Sequence, residues 1–305
     1  MHKKWAGVLP AATTEFESDG TLSLEATSRH LQIMIDAGIH GVVMLGTVGE
    51  NTSLEYNEKL DVIRAALDVC RGRIPVLTGV AEYTTDLACR FARDAERVGV
   101  DGLMVLPAMV YKSDARETMM HFRAVARATA LPVLCYNNPV SYGVDITPEM
   151  FAQMADEPNL AAIKESSDDV RRITDLKNLT GDRYVLFEGV DDLALEGALL
   201  GASGWISGLV NSFPREAVML WDLATSGQVS KALGIYRWFT PLLHLDTKPK
   251  LVQYIKFASA MAGTGAEHVR APRLILEGAE REAIADIVRR ALENRPALAE
   301  VAARR

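Results

Sequence analysis

The sequence predicts a (β/α)8 barrel, an α/β fold in which eight parallel strands alternate with helices, followed by a small C-terminal helical appendage. Eight short apolar runs rich in β-branched residues recur along the chain, and segments of helical period separate them. Eight strands fit a closed barrel better than an open doubly wound sheet. The first loop also lacks the G-x-G-x-x-G pattern of a dinucleotide-binding fold.

The predicted strands are continuous apolar runs, as expected for parallel strands with both faces buried. In chain order they cover residues 7–12, 41–45, 75–80, 102–106, 132–136, 160–163, 184–187 and 204–207. None of these runs has the length that a membrane span requires. The sequence therefore gives no indication of a membrane partner.

The intervening helices are indicated by apolar residues that recur every three or four positions. Leu31 and Ile35 share one face of a predicted helix over 24–37, and Ser53 is the expected N-cap of a helix over 54–69. Segments 85–98 and 117–129 show the same period.

After about residue 213 the pattern changes to helices alone, predicted at 214–225, 229–243, 249–262 and 280–294. We divide the chain into a catalytic barrel over residues 1–225 and a C-terminal helical region over residues 226–305. No low-complexity linker joins them, so the helical region is expected to pack on the barrel. There it could cover the rim or contact another subunit.

The composition is that of an ordinary soluble globular protein, with 49% apolar and 24% charged residues. A net charge of −7 gives no reason to expect a nucleic-acid partner. The three cysteines lie in apolar sequence without metal-ligand spacing, which favours buried, reduced thiols and predicts no metal site. Residues 1–5 show no signal-peptide pattern, so a cytoplasmic location is expected.

Candidate functional residues follow the predicted strands, and in a barrel the carboxyl ends of all strands meet at one mouth. Lys164 follows the apolar run 160–163 and precedes a polar loop. An amine at such a position can have a lowered pKa and attack a carbonyl carbon. The alternative is a lysine that ends a strand and extends to solvent.

Two neighbouring motifs favour the nucleophile. Tyr136 ends the fifth strand, and the run Gly-Thr-Val-Gly-Glu occupies positions 46–50 after the second. The glycines on either side of this turn allow backbone N–H groups to approach an anion, and the Thr47 hydroxyl adds a donor. A lysine, a tyrosine and an anion-binding turn are the parts needed for imine chemistry on a small keto acid.

These motifs resemble those of the dihydrodipicolinate synthase / N-acetylneuraminate lyase superfamily of Schiff-base barrels, over most of the chain. The resemblance rests on G-T-V-G-E at 46–50, Y-N-N-P with Tyr136, and I-K-E-S with Lys164 at the family's spacing of 28 residues (164 − 136). It implies that Lys164 forms the imine and Tyr136 transfers protons. It also implies that Thr47 and the Val48 amide bind the substrate carboxylate.

The same resemblance extends to the last two strands, where Gly189, Asp191 and Ser207 are further candidates for substrate binding. It implies a homo-oligomer, a tetramer or a dimer, that acts on a small molecule without a metal or other cofactor. Asp191 and Asp192 could bind the hydroxyls of a sugar acid. They could equally be an N-cap pair that starts the next helix.

Three departures from the superfamily pattern reduce the range of reactions expected of this chain. Val48 stands where dihydrodipicolinate synthases carry a second hydroxyl, and Ala108 and Met109 stand where they carry a paired tyrosine. The segment 140–142 lacks the arginine that holds the second substrate's carboxylate. These departures disfavour condensation and favour elimination from a single substrate.

The loops Y-N-N-P and G-T-V-G-E-N look closest to those of Δ1-pyrroline-4-hydroxy-2-carboxylate deaminases. The resemblance therefore implies dehydration and deamination of that cyclic imine to 2-oxoglutarate semialdehyde. The alternatives are a 2-keto-3-deoxy sugar acid aldolase or dehydratase, or an aldolase similar to N-acetylneuraminate lyase. Dihydrodipicolinate synthesis is less favoured, and a keto-acid-binding sensor without catalysis is the non-enzymatic alternative.

Other polar residues at the strand ends are weaker candidates for a functional role. Thr13 and Thr14 resemble the hydroxyl-bearing end of the superfamily's first strand, and the alternative is that they simply form a turn. Glu82 and Tyr83 close the third strand, where a solvated loop is the simpler interpretation.

Four acidic or basic residues are interpreted as structural. Glu50 is expected to bond loop amides below the anion turn. His244 is expected to be a satisfied core or interface histidine, because it follows an apolar helix face. Asp168 and Asp169 are expected to lie at a helix N-terminus.

Overall fold

A computed structural model describes residues 5–303 of the chain. Eight parallel strands form one sheet in the order β1-β8-β7-β6-β5-β4-β3-β2, and a parallel bridge between Ala11 and Val43 joins its first and last strands. The strands are β1 (Gly7–Pro10), β2 (Val42–Met44), β3 (Val76–Val80), β4 (Gly102–Val105), β5 (Val133–Asn137), β6 (Leu160–Glu165), β7 (Val185–Glu188) and β8 (Gly204–Ser207). The predicted (β/α)8 barrel is confirmed.

All eight strands occur where the apolar runs predicted them, with ends that differ by a few residues. Most of their residues are buried, as the near-continuous apolar sequence requires. The second strand is shorter than its apolar run because the backbone of Leu45 turns to a φ of 56°. The sixth is longer than predicted, so Lys164 lies within β6 and not just after it.

Helices cover the outside of the barrel and fill the C-terminal region. They are α1 (Leu24–Asp36), α2 (Tyr56–Cys70), α3 (Thr85–Val98), α4 (Ala115–Arg127), α5 (Pro139–Tyr142), α6 (Pro148–Gln153), α7 (Arg171–Thr180), α8 (Ala194–Leu199), α9 (Pro214–Thr225), α10 (Val229–Leu243), α11 (Leu251–Ala262), α12 (Gly278–Glu293) and α13 (Leu298–Ala303). Short 3-10 turns precede α2, α8 and α9.

The start of α2 differs from the prediction. Ser53 ends a 3-10 turn, and the helix begins at Tyr56 with Glu55 as its N-cap. Glu55 and Glu58 form a capping box, in which each side chain accepts a hydrogen bond from the other residue's backbone N–H. The sequence signal for this cap was the pair of glutamates three residues apart.

The C-terminal helices contact the last helices of the barrel and one another. Helix α10 lies against α9, and α11 lies against α12. Lys256 of α11 extends beneath the second strand's loop, where its Nζ donates to Glu50 Oε1 at 2.9 Å and to the Thr14 carbonyl at 2.7 Å. The helical region therefore supports one side of the barrel mouth.

Two expectations concern the chain's surroundings. Between residues 5 and 303, no helix is long and apolar enough to cross a membrane. The absence of a signal-peptide pattern was inferred from residues that include 1–4, which lie outside the described part of the chain.

Candidate active site

A cavity of about 490 Å³ opens at the carboxyl ends of the barrel strands. Lys164 and Tyr136 face each other within it, because β5 and β6 pair with these two residues in register. The Lys164 Nζ lies 4.2 Å from the centre of the Tyr136 ring. Both side chains are almost fully buried, so the predicted pair lies together in a water-poor part of the site.

Burial lowers the pKa of the Lys164 amine, because desolvation penalises its charged form. Carboxylates on Asp246, Asp191 and Glu188 act in the opposite direction and favour the ammonium. Desolvation is the largest of these effects, so the pKa remains below its ordinary value. A lowered pKa increases the fraction of neutral amine, which is the form that attacks a carbonyl or imine carbon.

The Tyr136 hydroxyl accepts a hydrogen bond from Asn138 Nδ2 at 3.0 Å. Burial raises the pKa of Tyr136 to about 12, so its phenol is protonated at neutral pH. A protonated phenol beside the lysine can donate a proton and then recover it. Imine formation needs a group that donates a proton and then takes it back, and the Tyr136 phenol can do both.

The anion turn forms the opposite wall, where Gly46, Thr47 and Val48 all line the cavity. The Thr47 hydroxyl shares a hydrogen bond with the hydroxyl of Tyr142. The Tyr142 ring meets the Tyr136 ring edge to face, with centres 5.8 Å apart. Tyr142 therefore links the anion turn to Tyr136 within one chain.

Glu50 supports the anion turn from below, but its carboxylate bonds groups of the C-terminal region and not the expected amides of its own loop. Its Oε1 accepts from Lys256 Nζ at 2.9 Å and its Oε2 accepts from the Arg270 backbone N–H at 3.1 Å. Thr14 contributes from the first strand, since its hydroxyl donates to the Gly49 carbonyl at 2.8 Å. Thr13 donates to Glu15 and does not line the cavity.

Gly189, a candidate for substrate binding, lines the cavity, and its lack of a side chain makes room for Lys164. A Cβ at this position would lie 2.7 Å from Lys164 Cε, too close for any real side-chain atom. The glycine after β7 therefore allows Lys164 to extend across the mouth.

Asp191 and Ser207 were predicted to contact substrate, but they lie in the wall and do not line the cavity. Asp191 is fully buried and accepts hydrogen bonds from Trp205 Nε1 at 3.1 Å and from the Leu209 N–H at 2.8 Å. Burial raises the pKa of Asp191 to about 6. Ser207 Oγ accepts from the Val210 N–H at 3.3 Å. Both residues brace the cavity from behind.

Asp192 and His244 bond each other and lie apart from the cavity lining. His244 Nδ1 is 2.6 Å from Asp192 Oδ2, and its side chain is 55% exposed. A core position for His244 was wrong, because its side chain remains more than half exposed at the end of α10, whereas an interface position stays a prediction. Asp192 is likewise no helix cap, since no side-chain cap bond is made at this turn.

The remaining sequence candidates also have structural partners. Glu82 accepts from Lys59 Nζ at 2.8 Å, and Tyr83 is exposed. Asp169 accepts from the N–H of Arg171, the first residue of α7, as its predicted place at a helix N-terminus requires. Asp168 lines the cavity with a φ of 64°.

The structure adds cavity residues that the sequence did not reveal. Asp246, Thr247 and Lys248 follow α10, and Arg273 follows α11; all four line the cavity. The Arg273 guanidinium donates to Ser53 Oγ at 3.0 Å and lies 3.7 Å from Glu50 Oε2. No local pattern marks these residues, because only the packing of the C-terminal helices brings them to the mouth.

In the part of the chain that the structure describes, no group of three or more histidine, cysteine, aspartate or glutamate side chains could hold a metal ion.

Comparison with known proteins agrees with the resemblance read from the motifs. The sequence profile of the dihydrodipicolinate synthetase family matches residues 4–291. The 4-hydroxy-tetrahydrodipicolinate synthase of Methanospirillum hungatei is 32% identical over 269 residues, which cover 87% of this chain and 92% of the relative.

Two solved structures have the same fold. The 4-hydroxy-tetrahydrodipicolinate synthase of Methylacidiphilum fumariolicum superposes with a TM-score of 0.92, at 28% identity over 98% of this chain and 99% of that one. A chloride-inhibited dihydrodipicolinate synthase from Acinetobacter baumannii, complexed with pyruvate, gives a TM-score of 0.90 at 26% identity, covering 94% and 98% of the two chains.

Proposed function

This chain belongs to the dihydrodipicolinate synthetase family, and we propose that it is a lysine Schiff-base lyase whose substrate is a cyclic imine carboxylate. The particular reaction that we propose is that of a Δ1-pyrroline-4-hydroxy-2-carboxylate deaminase. The observation that carries the chemistry is the buried Lys164, 4.2 Å from the Tyr136 ring in a cavity open to small molecules. A sensor that only binds a keto acid has no need of a desolvated amine.

The substrate's carboxylate would bind at the anion turn. Thr47 and Val48 line the cavity opposite the lysine, and the Thr47 hydroxyl is already oriented by Tyr142. A carboxylate held there places the adjacent C=N carbon of a cyclic imine toward Lys164. Hydroxyl and backbone N–H donors suit an anion of this size.

The proposed reaction starts with attack of the neutral Lys164 amine on the C=N carbon. Transimination breaks the ring C–N bond at that carbon, and Tyr136 supplies and recovers the protons that this exchange needs. The resulting protein-bound iminium acidifies the C3 proton, and loss of that proton with the C4 hydroxyl releases water. Proton shifts from C5 to C3 and from the amine nitrogen to C4 then convert the C5 amine into an imine. Hydrolysis of that imine releases ammonia, and hydrolysis of the lysine imine frees the semialdehyde.

Elimination is preferred over condensation because two devices for a second substrate are missing. Ala108 and Met109 replace a paired tyrosine, and the segment 140–142 has no arginine. A reaction on one substrate needs neither. The relatives described above carry the name of a synthase, so the deaminase activity is a proposal about this chain's own residues.

The test is to generate the imine in situ from cis-4-hydroxy-D-proline with a D-amino-acid oxidase, then measure ammonia and semialdehyde together. We expect equal amounts of both products with the wild-type enzyme and neither with Lys164→Ala. Absence of both products, together with release of pyruvate from a 2-keto-3-deoxy sugar acid, would instead support the aldolase alternative.

A second candidate is 4-hydroxy-tetrahydrodipicolinate synthesis, favoured by the names of the relatives. Arg273 lines the cavity and supports the synthase activity, because its guanidinium could hold the carboxylate of a second substrate. Its bonds to Ser53 and Glu50 reduce that capacity. We expect little product from pyruvate with aspartate semialdehyde, and efficient condensation would overturn the deaminase assignment.

We also propose that the chain is a cytoplasmic homo-oligomer, a tetramer or a dimer. Apolar side chains on the loop after β4 support self-association, since Val110 is 86% and Tyr111 58% exposed. Light scattering after size-exclusion chromatography would measure the mass. A monomer at micromolar concentration would contradict this proposal.

A further inference from the structure

Asp246 differs from the other carboxylates near the catalytic lysine. It lies in the turn after α10 and lines the cavity together with Lys164. Asp191 is bonded to Trp205 and Leu209, whereas no residue within 5–303 donates a hydrogen bond to the Asp246 carboxylate. Its oxygens are therefore available to a bound molecule.

The position of this carboxylate is fixed by a close approach to the end of β8. A Cβ added to Gly208 would lie 2.5 Å from Asp246 Oδ1 and 2.5 Å from Ile255 Cδ1. The glycine thus leaves the space into which the carboxylate fits. This packing places an acid from the C-terminal region above the barrel, on the lysine's side of the mouth.

Charged groups on several elements face Asp246. Of the carboxylates that favour the charged form of Lys164, Asp246 has the largest effect, ahead of Asp191. Burial, and then the negative charge of Asp191, raise the pKa of Asp246 well above its usual value, while Lys164 acts against the rise. Asp192 and Asp168 add smaller effects in the raising direction.

We propose that Asp246 is the catalytic residue that takes the C3 proton of the lysine-bound substrate and delivers it to the departing C4 oxygen. This inference rests on the proposed function and deepens it. The C3–H electron pair becomes the C2=C3 bond of an enamine, and the proton moves to the Asp246 carboxylate. The enamine pair then forms C3=C4 as the C4–O bond breaks, and Asp246 returns the proton to the oxygen, which leaves as water.

The neighbouring groups are less suited to this role. Tyr136, with a pKa of about 12, is protonated at neutral pH and cannot accept the C3 proton readily. Asp191 does not line the cavity, and its carboxylate is occupied by two donors. One carboxyl that first accepts and then donates needs no other proton carrier, and its raised pKa suits both steps.

The test separates imine formation from proton transfer at C3. Pyruvate serves as the probe, because its lysine imine carries C3 protons but no leaving group. In D₂O the wild-type enzyme should exchange those protons. Asp246→Asn should exchange them about 10²–10⁴ times more slowly, while borohydride still traps pyruvate on Lys164. Asp61→Asn is the matched control, since Asp61 pairs with Arg64 outside the cavity lining, and it should exchange like the wild type.

Two further results sharpen the test. Gly208→Ala keeps the carboxyl but displaces it, so exchange should fall while trapping persists. Equal exchange in Asp246→Asn and wild type, or no exchange in a wild-type enzyme that is trapped, would overturn the proposal. Failure of the proposed function has a different signature. In that case the wild type would exchange pyruvate protons but release no ammonia from the cyclic imine.

Discussion

The buried ion pair beneath the anion turn gives a quantitative prediction. Glu50 and Lys256 lie 2.9 Å apart with both side chains fully buried. Lys256 Nζ also donates to the carbonyls of Thr14 at 2.7 Å and His268 at 2.6 Å, so all three of its protons have acceptors. The pair therefore fastens the C-terminal region to the strand ends that form the site.

Glu50→Gln keeps the shape of the side chain but leaves the charge of Lys256 buried without its counter-ion. Removing one partner of a buried pair costs about 3–5 kcal/mol, because the remaining charge stays desolvated. We expect a loss of this size in the free energy of unfolding. The apparent KM should rise as well, because the turn that carries Thr47 and Val48 loses its support.

The assay is urea denaturation, in which the midpoint should fall while the slope stays unchanged. Asp61→Asn is the control, since Asp61 pairs with Arg64 at 2.7 Å with both side chains about half exposed. An exposed pair of this kind contributes about 0–1 kcal/mol. The double variant Glu50→Gln, Lys256→Met should lose less than the sum of the single changes, because neither charge remains buried. Equal losses for Glu50→Gln and Asp61→Asn would refute this reasoning.

Three further predictions concern the site. Tyr136→Phe should still form the lysine adduct but turn over about 10²–10⁴ times more slowly, because a proton carrier is lost; unchanged kcat would remove Tyr136 from the mechanism. Burial raises the pKa of Glu188 from 4.5 to about 8, so the folded state binds this proton more tightly and stability should fall as pH rises between those values. Urea midpoints of Glu188→Gln should show a shallower fall, and parallel curves would contradict the assignment. Activity should survive chelation of divalent metals, and loss that one specific ion restores would argue for a metal site.

The barrel and its central pair could be predicted from the sequence because both follow from local patterns. Continuous apolar runs identify parallel strands, and the carboxyl-end rule brings Tyr136 and Lys164 to one mouth. The pairing of β5 with β6 places these two residues opposite each other. The glycines of the anion turn likewise indicated tight backbone packing, and a Cβ added to Gly49 would lie only 2.9 Å from the Ala12 carbonyl oxygen.

The rest of the site depends on packing that no local pattern encodes. Asp191 follows β7 as a substrate-binding residue would, yet the Trp205 indole and the Leu209 N–H hold its carboxylate in the wall. Asp246 and Arg273 lie in the C-terminal region and reach the cavity only because the last helices pack on the barrel. Their contribution becomes visible only in three dimensions.

The most direct test of the central claim is borohydride trapping of the enzyme with its substrate, followed by peptide mass mapping. The Schiff-base account predicts one reduced adduct, located on Lys164, and irreversible loss of activity in proportion to its formation. Lys164→Ala should show no adduct and no turnover. An adduct on another lysine, or full turnover without any trapped adduct, would contradict the account.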